Sequence, residues 1–385
     1  MGATVPASGD PAAGTRPDGL TLCYTLADQA FGRTKSLGIF NNSLGLLQAL
    51  IRRPEVARVH VLANRTLIGS LPASPRLTVS EHNAALGGKL QRIAWDQIGV
   101  ARAARATGCE WLFLPKGFLP RFAPLPGPTT GHVHDVIQEF FRERYPQSYS
   151  WLDRRYFTWS LKATLRRAAV IFTGTEFGRQ EVRRFAATAG MSAPPIVLAG
   201  NGFDPVPAGP RGASPSIVCL ASRWPHKRTD LALDYVARWQ QETGYTGLVH
   251  WVGEAPEQLA WPAFPNWRRH ARVDHTSYYR LVTEAEALLH FSEYEGFGMP
   301  PVEAVLRGTC PVYSRLPATT EVMAGMGQPF DNDRYESFCV ALNQARTTPP
   351  ETLAAWAAAL LQRFSWEAVA ARVVAGLGAA APRAR

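Results

Sequence analysis

Along most of the chain, short apolar runs alternate with segments whose apolar residues follow a helical period. Short apolar runs, such as Leu20–Leu26 and the segments VARVHVLAN and CEWLFLP, have the length and composition of buried strands. Between them lie segments with helical spacing, among them IFNNSLGLLQALI and LQRIAWDQIGVARAARATG, the second ending at a glycine suited to a helix cap. Strands that alternate with helices in this way predict a parallel sheet covered by helices.

The same alternation starts again after PVPAGPRGASPS, which has the composition of a linker. SIVCLAS, GLVHWVG, EALLHFS and CPVYS predict a second set of strands. We therefore predict an α/β protein with two doubly wound, Rossmann-like domains. The predicted division is a disordered tail over 1–19, a first domain over 20–205, a second domain over 206–365 and a final helix over 366–385. Ligands of open α/β sheets bind beyond the carboxyl ends of the strands, so the expected site is the cleft between the domains.

Composition limits the compartment and the class of protein. A chain of 385 residues is long enough for two domains, and no apolar run is long enough to span a bilayer. The first 19 residues lack the basic and apolar regions of a secretory signal. The five cysteines are scattered, without the paired spacing of metal ligands. These features predict a protein of the reducing cytoplasm.

The positive charge is concentrated in the first domain. Between Leu20 and Pro205 there are 23 lysines and arginines against 12 acidic residues, whereas from Val206 onward there are 17 of each. A basic domain beside a neutral one indicates an anionic partner for the first. A membrane surface, a phosphate-bearing substrate and nucleic acid all fit this charge.

The segment FSEYEGFGMPPVEAVLRG combines two carboxylates with a glycine-rich turn. Glu295 follows an apolar strand, and Gly296 and Gly298 permit close backbone approach. The two prolines suit a helix start and would put Glu303 in its first turn. Free N–H groups at such a helix start favour an anion, and Glu303 could accept hydrogen bonds from ribose hydroxyls. The alternative is a glutamate that complements the helix dipole and another that is simply solvated.

Two cations follow a predicted strand in CLASRWPHKRTDLAL. Arg223 and Lys227 would lie at the strand end that borders the cleft, where they could neutralise a diphosphate. Taken alone, the segment also fits an ordinary basic turn.

Two histidines, His132 and His134, alternate in GHVHD. Alternate strand residues share a face, so a metal pair is conceivable, but no further ligands are evident and we reject zinc. His132 is interpreted as structural, and a structural role is also an alternative for His134.

The run E-G-F-G-x-P-x-x-E-A, from Glu295, closely resembles the E-x7-E motif of glycosyltransferase family 4, whose members are retaining enzymes with the GT-B fold. The resemblance extends over nearly the whole chain from about Leu20 and is specific at this motif. It implies two Rossmann-like domains facing a central cleft, with a C-terminal helix that crosses back to the first domain. It also implies that the first domain binds the acceptor and the second the nucleotide sugar.

The resemblance implies roles for individual residues. Glu303 would bind the donor ribose, Glu295 the hydroxyls of the donor sugar, and Arg223 and Lys227 the diphosphate. The segment around His134 resembles the family's H-D segment, which places this histidine near the transferred sugar. The catalytic set is then Glu295, His134, Arg223 and Lys227, and the donor-binding set is Gly38, Arg223, Lys227, Val273, Glu295, Gly296, Phe297, Gly298, Met299 and Glu303. Gly38 matches the family's first glycine-rich loop, and Val273 the loop that contacts the base.

The family implies transfer of a hexose, mannose favoured, from a GDP- or UDP-linked donor to a glycan or lipid-linked acceptor. Bacterial surface polysaccharide or lipopolysaccharide synthesis is the expected setting, with no cofactor. The stretch from Glu139 to Arg167 interleaves cations with aromatic residues. It would suit a peripheral contact with an anionic membrane, and it equally suits a solvated helix whose aromatic residues lie in the core.

Competing functions make different predictions. Asp331-Asn332-Asp333 matches the D-x-D metal site of another glycosyltransferase fold, but we interpret Asp333 as a helix N-cap and expect no metal. A nucleic-acid-binding protein would explain the charge but not the E-x7-E motif, so no nucleic acid is expected. An epimerase or a sugar phosphorylase could share the fold. A redox enzyme is disfavoured, since no G-x-G-x-x-G follows a strand.

Overall fold

A computed structural model describes residues 19–29, 37–83, 88–206, 209, 212 and 214–380. The predicted N-terminal tail, most of the loop before Gly38 and much of the predicted linker lie outside these residues. Among the described residues, no helix combines the length and the apolar character needed to cross a bilayer.

The first domain has a parallel sheet with the strand order β3-β2-β1-β4-β5-β6-β7 in the described part of the chain. Its strands are β1 (Leu20–Thr25), β2 (Val56–Ala63), β3 (Leu77–Glu81), β4 (Trp111–Leu114), β5 (Thr129–His132), β6 (Val170–Thr173) and β7 (Ile196–Leu198). Its helices are α1 (Leu37–Arg52), α2 (Arg65–Ile68), α3 (Lys89–Ala94), α4 (Val100–Thr107), α5 (Ile137–Arg144), α6 (Trp151–Arg167) and α7 (Glu176–Thr188). The strand order reverses between β1 and β4, so the crevice expected of a doubly wound sheet opens there.

The second domain repeats this design with the order β10-β9-β8-β11-β12-β13. Its strands are β8 (Ser216–Leu220), β9 (Leu248–Val252), β10 (Trp267–His270), β11 (Ala287–His290), β12 (Cys310–Ser314) and β13 (Gln328–Phe330). Its helices are α8 (Thr229–Thr243), α9 (His275–Glu284), α10 (Met299–Leu306), α11 (Pro317–Met323), α12 (Tyr335–Arg346) and α13 (Pro350–Phe364), and α14 (Trp366–Ala380) follows them. The switch point lies between β8 and β11, the strands that precede Lys227 and Glu295.

The last helix belongs to the core of the first domain, as the fold prediction required. Val369, Val373 and Leu377 of α14 are fully buried against residues of α1 and the first sheet. The Trp366 ring occupies the space where a Cβ at Gly45 or Gly202 would lie. The chain therefore crosses between the domains a second time before it ends.

One local prediction holds with an interruption, and one was wrong. The helix predicted between Leu90 and Gly108 is interrupted by a π-helical turn at Trp95–Gly99, although Gly108 does cap its end with φ +63°. Asp333 does not cap α12, because Arg334 occupies the N-cap position and makes no side-chain cap bond. In the same turn, Arg315 Nε donates a hydrogen bond to Asp331 Oδ1 at 2.9 Å.

The two domains touch along one side of the cleft. Thr175 Oγ1 donates to the carbonyl of Gly296 at 3.0 Å. The ring of Tyr149 stacks on that of Trp224, with centroids 5.8 Å apart. These contacts hold the carboxyl ends of the two sheets opposite one another.

Candidate functional site

Glu295 lies in the loop after β11, at the carboxyl edge of the second sheet. Its Oε1 accepts a hydrogen bond from Lys227 Nζ at 2.5 Å and lies 2.9 Å from His290 Nε2. Burial acts to raise the pKa of Glu295, but the charges of Lys227 and His290 and their hydrogen bonds hold it well below its ordinary value. Glu295 is therefore an ionised acceptor at neutral pH.

The structure places Gly296 directly against the first domain. A Cβ at Gly296 would lie 2.6 Å from the carbonyl oxygen of His134 and 2.8 Å from the Cβ of Asp135. Only glycine permits this approach, so the loop that carries Glu295 meets the loop that carries His134. The loops of two predicted catalytic residues, Glu295 and His134, are thereby brought together.

His134 is neutral and has a defined tautomer. Its Nε2 lies 2.8 Å from the carbonyl oxygen of Pro115, and because a carbonyl can only accept, Nε2 carries the proton. Burial lowers the pKa of His134 to about 4. Its ring stacks on His132, with centroids 4.3 Å apart. The unprotonated Nδ1 remains as an acceptor, which fits contact with a sugar hydroxyl better than charge stabilisation.

The helix α10 begins next to the start of α1. Gly298, in the left-handed region with φ +85°, occupies the N-cap position of α10, and a Cβ there would lie 2.7 Å from Thr319 Oγ1. A Cβ at Gly38 would lie 3.4 Å from the Sδ of Met299. Two helix N-termini thus approach one another across the cleft. The first N–H groups of a helix have no acceptor within that helix, so this is a favourable place for an anion.

Phe297 has a packing role. Its side chain is 5% exposed and contacts Phe203 and Phe364, with ring centroids 6.1 and 5.2 Å away. Any contribution of Phe297 to donor binding would therefore come from its backbone.

Glu303 lies one turn further into α10 than predicted, because the helix already begins at Met299. Burial raises the pKa of Glu303 to about 7, although Arg307 and a hydrogen bond from Tyr278 act to lower it. The Arg307 guanidinium lies 3.4 Å from the ring centroid of Tyr279. The carboxyl group is therefore held among aromatic rings and can change its protonation state near neutral pH.

Val273 lies in the loop between β10 and α9. It is half-buried and packs against the same apolar cluster as Tyr278. The loop predicted to contact the base therefore packs beside Tyr278, which donates a hydrogen bond to Glu303.

Arg223 is paired with a different carboxylate from Lys227. Its guanidinium is bound to Glu254, whose other oxygen accepts from Arg272 Nε at 2.7 Å. Arg223, Glu254 and Arg272 line a cavity of about 560 Å³ beyond β9 and β10. The two predicted diphosphate ligands are thus each paired with a carboxylate, Lys227 with Glu295 and Arg223 with Glu254.

Two polar residues of the site, Asp135 and His290, were not predicted. Asp135 packs against Gly296, and burial raises its pKa, with the charge of Glu295 acting in the same direction. His290 binds Glu295 from the last position of β11. Asp135 directly follows His134 and could have been inferred from the sequence, whereas the preceding apolar run made His290 look like a strand residue only.

Comparison with known proteins identifies the fold. No family model matches the chain, and no curated protein sequence is significantly similar to it. Sucrose-phosphate synthase from Thermosynechococcus elongatus aligns with a TM-score of 0.65 over 92% of this chain and 97% of its own, at 15% identity. Anabaena HepE in complex with UDP and glucose aligns with a TM-score of 0.62 over 94% of this chain and 100% of its own, also at 15% identity.

A shorter match is found with S. aureus TarM, solved with fondaparinux, α-GlcNAc-glycerol and UDP. The TM-score is 0.53 at 13% identity, over 69% of this chain and 54% of TarM, so this chain spans about half of the TarM length. At such identities the likeness concerns the fold. With two parallel, Rossmann-like sheets facing a cleft, the chain has the GT-B fold.

Proposed function

We propose that the protein is a retaining glycosyltransferase of the family 4 type. It would transfer a hexose, mannose favoured, from a GDP- or UDP-linked donor to a glycan or lipid-linked acceptor. The observation that carries the proposal is the approach of two helix N-termini at Gly38 and Met299, beside the ion pair of Lys227 and Glu295. An anion site flanked by a cation and a carboxylate suits a diphosphate joined to a sugar. Two of the similar structures above contain UDP.

In this proposal the second domain binds the donor. Glu303 accepts hydrogen bonds from the ribose, and Val273 borders the base. The backbone N–H groups of 296–299 and the start of α1 at Gly38 bind phosphate and sugar, while Glu295 accepts from sugar hydroxyls. In the free protein Arg223 and Lys227 are each paired with a carboxylate. When the donor binds, its diphosphate displaces those carboxylates. The two cations then neutralise the diphosphate as it leaves.

The proposed reaction needs no metal and no covalent intermediate. The bond between the anomeric carbon and the diphosphate oxygen breaks, and the acceptor oxygen bonds to the same face of that carbon. The leaving phosphate takes the acceptor's proton, so that the anomeric configuration is retained. His134, neutral and with a free Nδ1, would accept a hydrogen bond from a hydroxyl on the acceptor side.

The proposed setting is the cytoplasm, where nucleotide sugars would serve surface polysaccharide or lipopolysaccharide synthesis. A basic first domain that binds the acceptor fits an acceptor carried by an anionic membrane.

Thermal unfolding in the presence of UDP, GDP or ADP, each with and without magnesium, tests the proposal. A nucleotide at a hundred times its dissociation constant should add roughly 2.7 kcal/mol to the free energy of unfolding. We expect one nucleotide to stabilise the protein without magnesium, and Arg223→Ala and Glu303→Ala to abolish the effect. Arg183→Ala, at an exposed arginine of α7, is the control that should keep it.

Donor turnover then separates the reaction classes. Transfer of sugar to an added acceptor supports a transferase, whereas epimerised or phosphorolysed sugar would indicate a different enzyme. No response to any nucleotide would overturn the proposed donor site and leave the basic first domain with a binding role.

A further inference from the structure

Five side chains on the outer surface of the first domain form a continuous ladder of aromatic rings and guanidinium groups. Arg155 lies between Trp151 and Trp159, 4.9 Å from the ring centroid of each. Arg121 lies between Trp159 and Phe122, at 5.6 and 5.4 Å. The rings stay accessible to water, with Phe122 69%, Trp151 60% and Trp159 43% exposed.

The ladder is not a by-product of core packing. Positions 151, 155 and 159 recur every four residues and therefore share one face of α6, while Leu161 and Leu165 on the same helix are buried in the core. Leu152, beside the ladder, is 62% exposed. Large apolar side chains grouped on a surface mark a place of interaction.

The loop that completes the ladder is fixed by hydrogen bonds. The backbone N–H of Arg121 donates to Gln97 Oε1 at 2.9 Å, and Arg167 Nη2 donates to the carbonyl of Ala123 at 2.7 Å. Phe122 lies between these two anchors. The backbone that carries Arg121 and Phe122 is therefore held in place within the protein itself.

We propose that this ladder, with Leu152, is a membrane-docking face that inserts its rings into the headgroup region of an anionic bilayer. Tryptophan rings favour the depth where one part of the ring is apolar and another is wet. The two arginines lie between the rings, where they meet anionic lipid headgroups. Between Leu20 and Pro205 there are 23 basic residues against 12 acidic ones, and this positive charge attracts the domain to the same surface.

The face includes only part of the basic aromatic stretch. Phe141 and Tyr149 contact Trp224 of the second domain, with centroids 5.9 and 5.8 Å away. They are therefore committed to the domain contact, whereas Phe122, outside the stretch, joins the ladder.

The docking face adjoins the cleft. The helix α6 begins two residues after Tyr149, which stacks on the second domain, so Trp151 and Leu152 lie near the rim of the cleft. On the inner side of the same helix, Tyr156 donates to Asp96 Oδ2 at 2.7 Å. A docked molecule would hold its cleft close to the bilayer surface. That this serves a lipid-linked acceptor rests on the proposed function, whereas docking itself does not.

Co-sedimentation of the full chain with vesicles tests the proposal. Vesicles rich in phosphatidylglycerol should retain the protein at low salt, and vesicles of phosphatidylcholine alone should retain much less. Arg121→Gln with Arg155→Gln should lower partitioning to anionic vesicles roughly thirtyfold, since each cation contributes about 1 kcal/mol. A variant with serine in place of Phe122, Trp151 and Trp159 should lose binding to both vesicle types.

Two controls match these changes in chemistry but lie elsewhere. Arg183→Gln removes an exposed arginine of α7, and Val340→Ser an exposed apolar residue of α12, which is 56% exposed. Both should partition like the unmodified protein. Nucleotide-induced thermal shifts in the ladder variants report on folding and on the donor site independently of docking.

The proposal is overturned if anionic vesicles fail to retain the protein at low salt. It is also overturned if the ladder variants partition like the controls. Binding of a single-stranded oligonucleotide that depends on the ladder, without vesicle binding, would assign the face to nucleic acid instead. Vesicle binding without any nucleotide response would leave docking in place and remove the proposed function.

Discussion

The ammonium nitrogen of Lys227 lies 2.5 Å from Oε1 of Glu295, in a contact between the segments that follow β8 and β11, the strands on either side of the second switch point. The side chains are only 27% and 11% exposed. A second nitrogen, His290 Nε2, lies 2.9 Å from the same carboxylate oxygen. The pair therefore keeps a cation shielded and oriented at the proposed diphosphate site.

Breaking this ion pair should destabilise the protein more than removing it completely. Lys227→Met leaves a largely buried carboxylate without its cation, and we expect a loss of about 3 kcal/mol in the free energy of unfolding. The double variant with Glu295→Gln should lose less than Lys227→Met alone, and therefore less than the sum of the single variants. Urea denaturation measures this coupling. Strict additivity would mean that the contact contributes nothing to the folded state.

A methyl group at Gly296 should disrupt the site while leaving the fold intact. In Gly296→Ala the new Cβ would lie 2.6 Å from the carbonyl of His134, so the loop must shift away from the first domain. We expect transfer activity to fall at least tenfold, with a cost of about 1–3 kcal/mol in stability. Gly378→Ala is the control, because nothing lies within 4 Å of that Cβ. Unchanged activity in Gly296→Ala would show that the close approach is dispensable.

The sequence predicted the fold, and the position of Glu295 at a sheet edge, because both depend on local patterns. Buried strands such as β8 and β11 appear as apolar runs, and a residue that follows such a run lies at a sheet edge. The strand β10 reads WRRH and β3 lies at the other sheet's edge with exposed residues, so neither shows an apolar run. The pairing of Arg223 with Glu254 depends on how neighbouring strands align, which one sequence does not encode locally.

The raised pKa of Glu303 should make stability depend on pH. Burial moves this pKa from 4.5 to about 7. A carboxyl group whose pKa rises on folding contributes stability that is complete below about 4.5 and is lost as the pH rises through about 7. Between pH 5 and 8 the free energy of unfolding should fall by on the order of 2 kcal/mol relative to Glu303→Gln. Parallel pH profiles for the two proteins would refute this.

Nucleotide affinity should change in the opposite direction over the same range. Once ionised, the Glu303 carboxylate can accept hydrogen bonds from both ribose hydroxyls, so the nucleotide should bind more tightly at pH 8 than at pH 6. Calorimetric titration measures the dissociation constant at each pH. Glu303→Gln should bind weakly and show no such trend. The same trend in this variant would place the titrating group elsewhere, with Asp135 as the next residue to test.

Glu321 should strengthen the contact between the two domains. Its two carboxylate oxygens accept from the backbone N–H groups of Glu176 and Phe177 at 2.6 and 3.0 Å, so a residue of α11 caps α7 of the other domain. Glu321 is 145 residues from Glu176 and 144 from Phe177 in the chain, so no local sequence pattern predicts the contact. Glu321→Ala should cost about 1–2 kcal/mol, because it leaves two helix N-terminal donors unpaired and removes a favourable charge from the helix dipole.

Hydrogen exchange gives the sharpest readout of this cap. In Glu321→Ala the amides of Glu176 and Phe177 should exchange faster, while that of Gly178 should change less because Thr175 Oγ1 still accepts from it at 3.0 Å. Glu351→Ala, at an exposed glutamate in the first turn of α13, is the control. Unchanged exchange at Glu176 and Phe177 would contradict the cap. Because α7 and His134 belong to one domain and α11 and Glu295 to the other, transfer should slow in Glu321→Ala while nucleotide binding to the second domain is retained.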